Sequence, residues 1–336
     1  MDVRTRFQRL MRFEPVDRLP LLEWATWWDK TIERWHGEGL PPELVEGGAI
    51  RDYFGQDAYR QTWIPPRKPS CPAPAYHGAG ILADLQGYED MRPHLYPDAR
   101  EAIDTATLES WAERQARGEM VVWLTLEGFF WYPRTLLGIQ RHLCAFYEQP
   151  ETLHAMNRDL LEFNLAVLEA LCAVCTPDFV TFAEDMAYRS GPMISRALFD
   201  EFQAPYYRRI VPQVLERGII PFVDSDGRVE QLIRWFLDVG IDGFLPLERQ
   251  AGCDVAAIRA GHPGVRFIGG YDKMCMTLGE AAMRAEFDRL LPVLRQGGFL
   301  VGVDHQTPPA VPLDAYRVYL RLLEEYAIKA AAPPAA

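Results

Sequence analysis

Four stretches in the second half of the chain follow one pattern, and that pattern leaves few folds open. Gly218 leads into "IIPFVDSD", Gly240 into "IDGFLPLE", "GHPG" into "VRFIGGYD" and Gly298 into "FLVGVDH". Each time a helical stretch closes on glycine, an apolar run of strand length follows, and the run stops on an acid. Glycine just past a helix takes the left-handed cap that other residues resist, and an unbroken apolar run suits a strand covered on both faces. The acids Asp226, Glu248, Asp272 and Asp304 stand 22, 24 and 32 residues apart, room for one helix and one strand each. These are βα units, and repeated βα units build a parallel sheet.

Extended towards the N-terminus, the pattern predicts strands in "DFVTFAED" (178–185), "VVWLTLEG" (121–128) and "RLPLLEW" (18–24), with helical periodicity between them, as in "ETLHAMNRDLLEFNLAVLEALCAV". The segment near 40–115 is less regular, rich in Pro and Gly, with room for a hairpin or lid and one more strand. A doubly wound sheet is disfavoured because no G-x-G-x-x-G follows the first strand. The expectation is an α/β chain folded as a (β/α)8 TIM barrel, one domain over 1–330 with an irregular insertion near 40–115 and a flexible tail at 331–336.

In such a barrel the C-terminal strand ends ring one mouth, where active sites sit. Glu23, Glu127, Glu184, Asp185, Asp224, Asp226, Glu248, Asp272, Asp304 and His305 should then converge. Gathered carboxylates repel and raise one another's pKa unless a cation or hydrogen bonds compensate. The alternative for "FVDSDG" is local: Asp224 capping the next helix and Asp226 paired with Arg228 or Arg189. A formal net charge of −12 argues against a nucleic-acid partner. No apolar run is long enough for a membrane span or a signal core, so a cytoplasmic protein is expected. Six scattered cysteines read as reduced thiols, and "CAVC" (Cys172, Cys175) as helix core.

"RFQRLMRFEPVDRLPLLEW", "MAYRSGPMISRALFDEFQAPYYRRIVPQVLERG", "DSDGRVEQLIRWFLDVGIDGFLPLE" and "GGFLVGVDHQTPPAVPLDAYRVYL" resemble the uroporphyrinogen decarboxylase superfamily, in particular its methyltransferase-like branch of corrinoid-dependent methyltransferases and demethylases. The resemblance implies a (β/α)8 barrel and leaves the reaction open between methyl transfer and decarboxylation. Zinc-dependent relatives carry His-x-Cys where this chain has Asp224 and Asp226, so the thiolate site is absent. An oxygen-rich set of Asp224, Asp226, Glu248 and His305 remains as a candidate for a divalent metal, zinc first. The arginine motif with which true uroporphyrinogen decarboxylases meet an octa-anion is replaced by "EWATWWDKTIERW", and an acidic mouth disfavours such a substrate. An arginine from the irregular region, Arg51, Arg60 or Arg67, would weaken that objection.

Aromatic residues crowd the same rim. Trp28, Trp131 and Tyr132 are expected to line a pocket for a methoxyaromatic or a methylated cation. Tyr188 and Arg189 follow as substrate ligands, and Glu184, Asp185 and Asp226 as catalytic acids. The leading expectation is methyl transfer from a small methylated compound to a corrinoid on a partner protein. Decarboxylation of a carboxylated substrate comes second and a non-catalytic ligand-binding barrel third. The sequence also allows a homodimer.

Overall fold

The computed structural model describes residues 1–331. Seven parallel strands form one curled sheet: β1 (Tyr59–Trp63), β2 (Val121–Glu127), β3 (Phe179–Ala183), β6 (Ile220–Asp224), β7 (Gly243–Leu245), β8 (Arg266–Tyr271) and β9 (Phe299–Val303), hydrogen-bonded in that order. A two-stranded hairpin, β4 (Ala187–Tyr188) with β5 (Gly191–Pro192), stands apart on the rim. Helices follow the sheet strands on the outside, and the whole is TIM-barrel-like. All five residues of β3 and of β9 are buried, as apolar runs covered on both faces require.

The strand expected at 18–24 does not form. Residues 18–25 run extended through the gap between β9 and β1, but side chains replace the ladder. The Asp57 amide donates to the Leu21 carbonyl and the Leu21 amide to the Asp57 carboxylate. On the other side the Trp24 indole donates to the Val303 carbonyl, and the Val303 amide reaches the Glu23 carboxylate. Pro20 has no amide to contribute, which is the physical reason a regular ladder fails there. The additional strand does lie in the irregular segment, as β1.

The far end of the barrel is plugged. The helix Val3–Met11 lies beneath it, with Phe7 against Phe179 at 5.3 Å between ring centroids. Asp178, fully buried, fastens this helix by accepting from Arg4 and Gln8, and also takes Gln115 and the Val122 amide. Above that floor the interior is filled by Trp123, Phe179 and Phe222 in successive contact. Only the C-terminal end of the strands is left open. The expected tail at 331–336 lies, from 332 on, outside the described residues, and Ala331 still belongs to the last helix, Leu313–Ala331.

Candidate functional site

The loops after β3, β6, β7, β8 and β9 bring Asp185, Asp224, Asp226, Glu248, Lys273, Asp304 and His305 to one mouth. Asp226 and His305 face each other, with Nε2 3.5 Å from Oδ2. Asp185 has φ +40°, a conformation that Asp tolerates better than most side chains. Arg134 donating to its carbonyl and the Asp226 amide donating to its Oδ1 hold it there. The amide of Gly227 donates to Glu248. Asp304 is fully buried and accepts from the Arg249 amide and from Lys273, whose Nζ is 3.0 Å away.

Burial and mutual repulsion act on these acids together. Loss of water, then the charges of Asp185 and Glu248, push Asp226 up to about 7, with Lys273 pulling the other way. Asp224, behind it, is raised well above the carboxylate range by burial and by Asp185 and Asp226. Burial lowers His305, against the opposing pull of Glu248. Near neutral pH this ring therefore holds a carboxyl that can give up a proton, beside an imidazole that can accept one.

A cleft of about 350 Å³ opens beside the mouth, lined among others by Arg67, Glu127, Trp131, Arg134 and Thr135. It joins the acid ring through Arg134, whose guanidinium lies 4.8 Å from the centre of the Trp131 ring and also binds the Asp185 carbonyl. Its size sits at the low end of small-molecule pockets, roughly 300–1,000 Å³. Glu127, the last residue of β2, presents a buried Oε2 without a hydrogen-bond partner, and burial pushes its pKa up to about 7 against the pull of Arg67.

Several expected residues are elsewhere. Glu184 is no general acid at the surface: it is fully buried and accepts the amides of Phe129, Phe130 and Trp131 and the hydroxyl of Tyr207. It satisfies the orphan donors that begin the helix Trp131–Leu137. Gly128 makes this possible, because a Cβ there would come within 2.3 Å of the Glu184 carboxyl carbon. Tyr132 is not a pocket liner but core, donating to the Pro66 carbonyl, because the turn that exposes Trp131 to the cleft points its neighbour inward. Glu23 is likewise interior, bound to Tyr319 and the Val303 amide. Tyr188 and Arg189 sit exposed on the rim hairpin, and Trp28 is exposed at the start of the helix Asp29–Gly37. Neither Arg228 nor Arg189 pairs with Asp226: Arg228 pairs with Glu230.

The four donors considered for a metal do not make a cage. Among the described residues no group of three or more His, Cys, Asp or Glu is placed to hold an ion. Asp226 and His305 face each other, and Glu248 is turned to a backbone amide. The structure adds Lys273 and Arg134 to the residues expected from sequence. The signal for Lys273 was its place directly after the acid that ends "VRFIGGYD", and for Arg134 its place at the end of "EGFFWYPR".

A TIM-barrel-like fold with titratable groups gathered at the C-terminal rim of the strands defines the class. Residues 118–326 match the uroporphyrinogen decarboxylase (URO-D) family, and the chain belongs to that family. No curated protein matches the sequence. Among solved structures the chain is similar to a protein designated a vitamin-B12 independent methionine synthase from Listeria monocytogenes, at 11% identity over 94% of this chain and 97% of that one, with a TM-score of 0.46. It is also similar to a D-psicose 3-epimerase, at 12% identity over 69% and 83%, TM-score 0.38. Fungal β-1,4-galactanases are comparable, at 10% identity over 90% and 99%, TM-score 0.43. At these scores the likeness bears on neither substrate nor reaction. No helix among the described residues is long and apolar enough to cross a membrane.

Proposed function

We propose that this protein transfers a methyl group from a small methylated compound, of methoxyaromatic or methylamine type, to a corrinoid acceptor carried on a separate protein. The observation that carries the reading is the Asp226–His305 pair: an acid at about 7, in a ring of like charges, linked through Asp185 and Arg134 to a cleft of small-molecule size. Methyl transfer from an ether breaks the carbon–oxygen bond and leaves the electron pair on oxygen. Protonated Asp226 gives its proton to that oxygen, leaving a neutral alcohol or phenol and an aspartate. A phenol ordinarily titrates near 10, so the transfer runs downhill from an acid near 7. His305 then returns a proton to Asp226 from solvent, and Lys273, tied to Asp304, limits the negative charge that accumulates. The corrinoid is the methyl acceptor, and the superfamily resemblance is what brings it in.

The test mixes purified protein with cob(I)alamin and a panel of methoxyaromatics and methylamines. Appearance of the methylcobalamin spectrum with at least one compound is expected, and failure with every one sinks the reading. Decarboxylation is the second reading. It is favoured by Arg67 and Arg134 in the cleft, which suit a carboxylated substrate, and Asp226 would protonate the carbanion left by loss of carbon dioxide. Carbon dioxide release without corrinoid marks it.

A further inference from the structure

The cleft on the Trp131 side is charged the opposite way from the acid ring it adjoins. Arg67 and Arg134 both line it, part-buried, and among the described residues neither has a carboxylate within salt-bridge distance. Arg67 spends one nitrogen on the Thr135 carbonyl and hydroxyl, at 3.0 and 2.7 Å, leaving the rest of its fork unbonded. Arg134 spends one on the Asp185 carbonyl at 3.0 Å. Burial without an ion partner pulls Arg134 below the usual arginine value. The third polar group is Glu127, whose buried Oε2 has no hydrogen-bond partner, while Arg67 and Trp63 favour the charged form of the carboxyl as a whole. Two guanidinium groups with free donors and a buried carboxyl oxygen without a hydrogen bond thus share one small cavity, an arrangement that a ligand rich in acceptors would complete.

The chemistry of that ligand follows from the lining. Two guanidinium forks match the planar, two-oxygen geometry of a carboxylate. A quaternary or protonated amine would meet two like charges at close range. A tetrapyrrole polyanion would bring more carboxylates than two guanidinium groups can answer and set the rest against the acid ring. Trp131, with Arg134 already over its face, offers an aromatic wall. We propose that the cleft binds the carboxylate of a singly charged aromatic acid, with Arg67 and Arg134 at the charge, Trp131 along the ring and Glu127 hydrogen-bonded to a ring oxygen, and that this acid is the methyl donor. The last clause rests on the methyl-transfer reading, and the binding claim stands without it.

Calorimetry on the purified protein without corrinoid separates the two. The probes are para-methoxybenzoate, para-methoxybenzamide, which keeps the shape without the charge, and tetramethylammonium. The benzoate is expected to bind roughly 10-fold or more tighter than the amide. Arg67→Gln and Arg134→Gln should each weaken the benzoate roughly 10- to 100-fold and leave the amide within about 3-fold. Equal affinity for benzoate and amide, or a preference for tetramethylammonium, overturns the proposal. If a Gln variant does not fold, the three-probe comparison on the unaltered protein still decides. Tight benzoate binding with no methylcobalamin formed refutes the methyl-transfer reading while the anion site stands. Methyl transfer without charge preference does the reverse.

Discussion

Glu127 offers the cleanest physical test, because its environment is simple: a buried carboxyl oxygen without a partner at the end of β2, lifted from an ordinary 4.5 to about 7 chiefly by loss of water. A carboxyl whose pKa is higher folded than unfolded favours the folded state while protonated. That advantage is complete below the unfolded value and disappears as the pH rises through the folded one. At about 1.4 kcal/mol for each tenfold, charging Glu127 costs the fold about 3 kcal/mol above pH 7, of which about 2 kcal/mol accrues between pH 5.5 and pH 8.5. Glu127→Gln keeps the shape and removes the titration. Urea unfolding of both proteins at the two pH values isolates this one group, since every other acid is common to both. The variant should gain about 2 kcal/mol on the unaltered protein as the pH goes from 5.5 to 8.5. An unchanging difference refutes the assignment. Such a flat difference would mean that Glu127 is charged across the whole range in the folded chain, held so by Arg67, as it is in the unfolded chain.

Four further outcomes are expected. The methyl-transfer rate should fall as the pH rises through about 7, where Asp226 loses the proton it must donate, and Asp226→Asn should lower kcat roughly 100-fold or more and abolish that limb. Glu184→Ala should lower stability by about 3 kcal/mol, seen as a drop in Tm, because three backbone amides and the Tyr207 hydroxyl lose their acceptor; a small change would mean that water replaces the carboxylate. Gly128→Ala should be similarly damaging, as the new methyl overlaps the Glu184 carboxyl and the Ala183 carbonyl, and near-normal unfolding would show that the turn yields easily. Trp131→Ala should raise the KM of an aromatic substrate roughly 10-fold with little change in Tm, and an equal loss for a non-aromatic methyl donor would remove the ring from the argument.

The parallel sheet was legible because its signals are local. A glycine cap, an unbroken apolar run and an acid at the strand end each reflect one residue's own backbone or solvation preference, and repetition made the barrel readable from the strands after 178. The convergence of Asp185, Asp224, Asp226, Glu248 and His305 followed, since a barrel places every strand end at one rim. The segment 18–25 has the hydropathy of a strand, while its links to the sheet run through side chains: the Leu21 amide donates to the Asp57 carboxylate, and the segment's own Glu23 accepts from the Val303 amide.

What the tertiary structure alone decided was the task of each acid. Glu184 and Asp185 are adjacent in sequence, yet one turns inward to satisfy three amides and the other faces the mouth, because Gly128 leaves room for only the first to pack beneath the helix at Trp131. Trp131 and Tyr132, also neighbours in sequence, divide between cleft and core because the turn that brings one to the cleft points the other inward. Arg67 and Arg134 lie 67 residues apart, and only folding brings their unpaired charges into one cavity. Residue type and spacing record what a side chain can do; its hydrogen-bond partners and its access to water come from distant parts of the chain, and those set its charge and its role.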